Sequence, residues 1–247
     1  MKLTVIGMWG AYPKAGGASS GYLLETERTK LLIDCGSGVL SRLSEICNPT
    51  KLDGVILSHY HADHFCDIPV LMHARYDSGL YEEEAVKPMP IYCHANSPEF
   101  QSLSYRNGSI TQGMEYRPGE PFQIGDFTIT PVRTIHPLEC YGFRICAESK
   151  VFFYTADGAY GPHLHAAADK PDFLLCESNM MHSEVERAMD RHMTGVLAGK
   201  FAEEIGAKRM LVTHLPPLKD NQATLAEVKT QYHGPVELAY CGQILTI

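Results

Sequence analysis

Residues 59–64, His-Tyr-His-Ala-Asp-His, place three imidazoles and a carboxylate within six positions. Zinc is held by such groups, and a catalytic zinc keeps one position open for water. His59 and His61 point to the same side of an extended backbone because side chains alternate along it. Asp63 and His64 come after a turn and face a neighbouring position. The spacing predicts a site that can bind two metal ions, which twelve histidines scattered at random would not form.

The elements around this stretch explain how it would be positioned. Residues 54–57 form an apolar run with β-branched members, which predicts a buried strand ending at the cluster. Three further candidates also follow strand-like runs: His136, Asp157 and His214. Strand ends of one sheet lie side by side however far apart they are in sequence. All seven side chains are therefore predicted to converge at one edge.

The order of elements predicts an α/β protein made of two similar halves. Strands come first in pairs and then alternate with helices, and this order occurs twice. Helices are predicted over 39–47, 68–76 and 194–205, the last ended by Gly206. No low-complexity linker or charge block divides the chain, so 1–247 is predicted to be a single domain.

The composition disfavours nucleic acid and membranes as partners and an oxidising compartment as the location. The formal charge is −8 with no run of Lys or Arg, which disfavours generic capture of nucleic acid. The chain has no apolar stretch of membrane-spanning length, and its first residues form too short an apolar run for a signal peptide. Eight scattered cysteines without a Cys-x-x-Cys pair are typical of reduced thiols. A cytoplasmic protein without a membrane partner is expected.

Together these residues resemble the ligand set of the metallo-β-lactamase superfamily of binuclear hydrolases. The resemblance spans nearly the whole chain and implies a four-layer αββα sandwich of two mixed β-sheets flanked by helices. It also implies two Zn²⁺ ions, with Mn²⁺ or Fe as alternatives. One ion would be held by His59, His61 and His136, the other by Asp63, His64 and His214, and Asp157 would bridge them. Asp34 matches an early Asp of the family that orients a ligand histidine.

Within the superfamily, the chain is most similar to the ribonuclease Z-like phosphodiesterases. The similarity lies in the opening Gly7-x-x-Gly10 loop with Ser19-Ser20, the strand at 141–145, Glu177 and the motif His192-Met193-Thr194. The catalytic residues that it implies are Asp63, Glu177 and His192. His192 would stabilise charge on the transferred phosphate or protonate the leaving alkoxide, and Glu177 would support it. Alternatively, His192 is only a helix-start residue beside a Thr194 cap.

The chain departs from ribonuclease Z in one respect. That enzyme carries a long arm between the third histidine and the bridging Asp, whereas here His136 and Asp157 are only 21 positions apart (157 − 136). A small phosphodiester, nucleotide-like or cyclic, is therefore the expected substrate, attacked by a hydroxide that bridges the metals. Structured RNA is disfavoured as a partner, and a homodimer is expected from the resemblance alone.

Three other functions remain open. A thioester or lactone hydrolase of the same superfamily is less favoured, because Thr134-Ile135-His136-Pro137-Leu138 differs from the Gly-His-Thr-Pro-Gly-like stretch of thioester hydrolases. A ribonuclease acting on RNA 3′ ends is the second alternative. A non-catalytic metal-bound scaffold is disfavoured, since all seven ligands are present.

Other noticeable residues have simpler interpretations. The glycine-rich loop at 7–21 lacks the ending of a P-loop, so it is predicted to be a tight connection, and one that could line a site. Trp9 could stack on a nucleobase at the mouth of the site or simply pack. His163 and His165 could border the pocket but are predicted to be a surface pair. His94 has no partner at ligand spacing and is also predicted to be a surface residue.

Overall fold

A computed structural model describes residues 1–81 and 87–247. The strands of the first sheet are β1 Lys2–Gly7, β2 Gly21–Glu25, β3 Lys30–Ile33, β4 Gly54–Ile56, β5 Met89–Cys93, β6 Thr111–Glu115 and β14 Ile244–Thr246. Those of the second sheet are β7 Phe122–Ile124, β8 Phe127–Arg133, β9 Tyr141–Ala147, β10 Lys150–Tyr154, β11 Phe173–Glu177, β12 Met210–Thr213 and β13 Val236–Leu238.

The helices lie between and after these strands. They are α1 Val39–Leu43, α2 Ala62–Phe65, α3 Ile68–Tyr81, α4 Glu99–Ser102, α5 Pro162–Ala167, α6 Val185–Ala188, α7 Gly195–Glu204 and α8 Asn221–Lys229, with 3₁₀ turns at Pro49–Lys51 and His182–Glu184. In the described ranges, no helix combines the length and apolar composition that crossing a membrane requires. All eight cysteines are unpaired.

The two sheets share one topology. The first has the order β14-β1-β2-β3-β4-β5-β6, and the second has the order β7-β8-β9-β10-β11-β12-β13. Read in these directions, each begins with three antiparallel pairings and ends with three parallel ones. Two mixed seven-stranded sheets flanked by helices confirm the predicted four-layer αββα fold and its two similar halves.

Large aromatic side chains fill the space between the sheets. Tyr22 of β2 lies against Tyr154 of β10, with ring centroids 5.3 Å apart. On the other face of β10, Phe153 packs against Phe201 of α7. The parallel strands β11 and β12 are buried at every position, because a sheet covered on both faces has no solvent side. The core therefore holds the strand ends rigidly beside one another.

Helix bounds differ from the predictions at several ends. Helix α1 ends at Leu43 rather than Cys47, whereas α3 continues to Tyr81. Helix α7 agrees closely: the Thr194 hydroxyl accepts the Leu197 N–H at 3.3 Å as the N-cap. The short helix α2 was not predicted, and it carries two of the candidate ligands directly after His61.

Candidate metal centre

Asp34 anchors the loop that carries the histidine cluster. It follows β3 in a left-handed conformation, with φ of 57°, and its side chain is completely buried. Its Oδ1 accepts the Ser58 N–H at 2.7 Å. Its Oδ2 accepts the Ser58 hydroxyl at 2.9 Å, the Tyr154 hydroxyl at 2.9 Å and His64 Nδ1–H at 2.8 Å. The structure thus places Asp34 where it orients the His64 ring and fixes the backbone that precedes His59.

The first group of converging side chains is His59, His61, His136 and Asp157. His61 Nδ1 lies 2.9 Å from His59 Nε2 and 3.1 Å from His136 Nε2. An Asp157 oxygen lies 3.9 Å from His59 Nε2. These atoms come from the ends of β4, β8 and β10, so the sheet edges bring together residues up to 98 positions apart (157 − 59).

The second group is Asp63, His64, His214 and again Asp157. His214 Nε2 lies 3.2 Å from the Asp63 carboxylate and 3.4 Å from Asp157 Oδ2. His64 Nε2 lies 3.3 Å from Asp157 Oδ1. Asp157 therefore presents Oδ1 to His64 and Oδ2 to His214 in the second group, and its Oδ2 also approaches His59 of the first group. This partition is the one that the resemblance implies, with Asp157 in the shared position.

The donor set fits divalent metal ions. The outward nitrogens of three rings have acceptors of their own: Asp34 for His64, the Arg191 carbonyl at 2.8 Å for His136, and the Ser58 hydroxyl at 3.0 Å for His59. A ring that donates outward turns a lone pair inward, which is the state that binds a metal. Asp157 Oδ1 is buried without a hydrogen-bond partner.

The charges of the cluster agree with this fit. Burial lowers the pKa of His59, His61 and His136, so these rings are neutral near pH 7, the form in which an imidazole binds a metal. Burial would raise the pKa of Asp157, but His214 and His64 outweigh it and lower that pKa well below its ordinary value. The first group therefore combines neutral imidazoles with an ionised carboxylate. Burial would lower the pKa of His64 in the second group, but Asp157, Asp34 and Asp63 outweigh it and raise that pKa well above its ordinary value, so a divalent cation would displace a proton from this ring on binding.

Beside these two groups, Glu177 and His192 form a hydrogen-bonded pair that borders the same site. The Glu177 carboxylate is completely buried and accepts His192 Nδ1–H at 2.9 Å and the Gly158 N–H at 2.8 Å. Burial lowers the pKa of His192, but the Glu177 charge outweighs it and raises that pKa to about 9. The His192 ring lies 5.3 Å from that of His136 and 5.4 Å from that of His214, between centroids. Since Thr194 caps α7, His192 is not needed as the cap.

Members of both metal groups line one small pocket together with His192. Its volume is about 210 Å³, and its walls are formed by Ala11, His61, Asp63, His136, Asp157, Asn179, His192 and His214. Among the described residues, no Lys or Arg lines it. Apart from metal ions, His192 is thus the cationic group available to an anionic substrate.

The glycine-rich loop contacts this pocket directly, which the sequence raised only as one possibility and without naming the residues. The Ala11 N–H donates to Asp63 Oδ2 at 2.7 Å. A Cβ at Gly10 would lie 2.1 Å from Asn179 Nδ2 and 2.9 Å from the His214 ring, so only glycine fits there. The glycine itself was the available signal, since it marks a close approach as well as a turn. Asn179 carried no such signal.

Other candidates lie outside the pocket lining. Trp9 packs over Gly17 with the Lys14 ammonium 4.7 Å from its ring centroid, which agrees with the packing interpretation. His165 donates to Glu204 at 2.7 Å. The prediction for His94 is wrong: this residue is 3% exposed, because it directly follows the buried strand β5.

Comparison with known sequences agrees with this geometry. The profile described as "Beta-lactamase superfamily domain" matches residues 29–215. The probable metallo-hydrolase YhfI of Bacillus subtilis is 40% identical over 243 residues, covering 98% of each chain. A ribonuclease Z of Myxococcus xanthus is 26% identical and covers 98% of this chain and 96% of its own.

Comparison with solved structures gives the same result. The crystal structure of the metallo-β-lactamase fold protein YhfI from Bacillus subtilis matches with a TM-score of 0.94 at 39% identity, covering 99% of this chain and 98% of that one. Human tRNase Z, short form, matches with a TM-score of 0.79 at 20% identity, covering 100% and 99%. The second likeness shows the fold alone.

Proposed function

Because the chain belongs to the metallo-β-lactamase superfamily, we propose that it is a binuclear zinc-dependent phosphodiesterase acting on a small, nucleotide-like or cyclic phosphodiester. The family and the His/Asp cluster support the coarser description, a hydrolase that binds divalent metal. The observation that carries the finer proposal is the combination of an Asp157 shared by two ligand groups with a charged His192 at the pocket wall.

The ligand groups support two ions rather than one. His59, His61 and His136 offer three nitrogens to the first, and Asp63, His64 and His214 offer two nitrogens and an oxygen to the second, with Asp157 reaching both. When bound, the two ions supply an activated water and positive charge for the phosphate oxygens. Zinc suits the imidazole-rich set, and Mn²⁺ or Fe is the alternative.

His192 supplies the proton chemistry of the proposed reaction. Its Nδ1–H is held by Glu177, which leaves Nε2 for the pocket that the ring lines. With the pKa raised to about 9, the ring carries an N–H at Nε2 near pH 7. It can donate to a phosphoryl oxygen as negative charge develops and pass the proton to the leaving alkoxide.

The walls of the pocket favour a small diester. A phosphodiester carries one negative charge and a monoester about two; beyond the metal ions and His192, none of the described residues that line the pocket is a Lys or Arg that would add charge for the second. Strands β9 and β10 fill the interval between His136 and Asp157, so no arm extends from this part of the chain. With a net charge of −8, the surface also disfavours a long polyanion.

Metal analysis with a substrate panel tests the proposal. The panel is bis-p-nitrophenyl phosphate, 2′,3′-cyclic nucleotides, p-nitrophenyl phosphate, a thioester, nitrocefin and a precursor tRNA. We expect two metal ions per chain, turnover of the diesters and little turnover of the monoester. Thioester turnover without diester turnover would refute the proposal, and preference for the precursor tRNA would favour the ribonuclease alternative.

A further inference from the structure

His94 is a buried histidine that the proposed chemistry does not use. It follows β5 directly, just as His214 follows β12 in the second sheet. Neither of its ring nitrogens has a hydrogen-bond partner, although the residue is 3% exposed. Buried polar groups are nearly always paired, so an unpaired imidazole inside a protein points to a function.

One side of His94 holds the segment that carries His59 and His61. Tyr60 lies between these two candidate ligands, and its ring packs edge-on against the His94 ring, with centroids 5.0 Å apart. The Tyr60 hydroxyl donates to the His94 carbonyl at 3.0 Å. Tyr60 is buried, so its position fixes the backbone on which both ligands are mounted.

The other side of His94 faces the segment that carries His136. Glu139 lies three residues after that ligand, and its Oε1 is 3.9 Å from His94 Nδ1. The Glu139 carboxylate also accepts the Tyr141 hydroxyl at 2.6 Å and the Asn96 amide at 2.9 Å. It is therefore held beside His94, with its Oε1 about 1 Å beyond ordinary hydrogen-bond distance from the ring nitrogen.

We propose that His94 is a positioning residue of the metal centre, whose Nδ1–H pairs with Glu139 and ties the segment of His59 and His61 to that of His136. Burial lowers the pKa of His94, so the ring is neutral near pH 7 and has one N–H to donate. The partner segment is closed on itself, since the Thr134 N–H donates to the Cys140 carbonyl at 3.0 Å. A displacement of Glu139 is therefore transmitted through residues 134–140, the segment that carries His136.

The inference predicts a selective effect on one of the two ions. All three histidines of the first group lie on the two tied segments. The second group lies only partly on them: Asp63 and His64 follow His61, but Ala11 and Asp34 hold these two side chains separately, and His214 and Asp157 lie elsewhere. Partners behind metal ligands typically contribute about 10- to 100-fold in metal affinity. The positioning role of His94 rests on the proposed function only because it requires two metal ions; it requires no particular substrate.

Zinc titration of the metal-free protein against a chelating indicator tests it. In His94→Phe, which keeps a ring but removes the N–H, we expect one of the two zinc affinities to fall about tenfold and the other to change by less than about threefold. His94→Gln, which keeps an N–H donor, should recover part of the loss. The matched control is His73→Phe, because His73 lies 3.8 Å from Asp77 on the exposed face of α3.

A double-mutant cycle with Glu139→Ala separates positioning from simple packing. If the two side chains act as a pair, the double variant should bind zinc no more weakly than the worse single variant. Equal weakening of both ions together with a lower Tm of the metal-free protein, or unchanged zinc affinities, would overturn the inference. Glu139→Ala alone still tests it if His94→Phe does not fold. Absence of diester turnover in the wild type would refute the proposed substrate while leaving these zinc affinities to decide the inference.

Discussion

His192 donates its Nδ1–H to the Glu177 carboxylate at 2.9 Å, and that carboxylate has no exposed surface. The same carboxylate accepts the N–H groups of Gly158 at 2.8 Å and Asn179 at 3.2 Å. It is therefore fixed by the backbone on both sides. The His192 ring cannot turn away from the pocket without breaking this bond, so it is preorganised for the proton transfer proposed above.

His192→Ala should lower kcat by about 10²- to 10⁴-fold while leaving the metal content unchanged. The reason is that this ring contacts the candidate ligands through its faces and edges, whereas its Nδ1 is used by Glu177. Diester turnover and metal content measure the two quantities. His182→Ala is the control, since that ring contacts Thr194 and lies outside the pocket lining. Loss of metal would instead identify His192 as a ligand.

Glu177→Gln should lower the pKa of His192 from about 9, because burial then acts without the opposing charge. NMR titration of the metal-free protein measures this shift. A raised folded-state pKa stabilises the protein fully below the unfolded value of about 6.5, and this stability is lost as pH rises through about 9. The variant should therefore lose more stability in denaturant unfolding near about pH 6 than near about pH 10. An unchanged titration would contradict the assignment.

His61→Ala should remove the ion held by the first group and abolish diester turnover. His61 Nδ1 is the atom that approaches both other nitrogens of that group, at 2.9 Å and 3.1 Å. Because the residue is exposed, the metal-free variant should keep nearly the wild-type Tm. Metal content per chain and turnover check this result, with His73→Ala as the control. Retained activity would refute the ligand assignment.

Gly10→Ala should weaken binding of the second ion. The added Cβ would come within 2.9 Å of the His214 ring and displace it from Asp63 and Asp157. Gly16→Ala is the matched control in the same loop, because a Cβ there meets nothing within 4 Å and costs only the strain of its positive φ. Zinc titration distinguishes them. Equal zinc affinities in the two variants would show that this loop does not hold His214.

Asp34→Ala should weaken metal binding by about 10- to 100-fold, because His64 loses the acceptor that fixes its ring. It should also lower the Tm of the metal-free protein, since the Ser58 N–H is left buried without a partner. Tyr154→Phe removes one of the four donors to Asp34 and should have a smaller effect on both measurements. Zinc titration and thermal unfolding check that Asp34→Ala has the larger effect and Tyr154→Phe the smaller one. Wild-type zinc affinity in Asp34→Ala would contradict the orienting role.

The sequence was sufficient to predict the αββα fold and to select the seven candidate ligands. Local patterns, namely apolar runs of strand length with polar residues such as His59 or Asp157 at their ends, predict the ligands and an α/β protein of two similar halves, whereas the αββα sandwich is implied by the resemblance to the superfamily. These patterns carry information because the ends of neighbouring strands must lie together at one sheet edge. The same local reasoning explains why Thr194 was predicted as a helix cap.

Only the tertiary structure decided which atoms face one another. Three features depend on how the two sheets pack: the position of Asp157 between both groups, the hydrogen bond from the Ala11 N–H to Asp63, and the burial of His94. Each of these contacts joins residues far apart in sequence, and side-chain packing selects among rotamers that local patterns leave equivalent. Residue types and their order along the chain are therefore sufficient for the kind of chemistry, whereas its geometry requires the packed core.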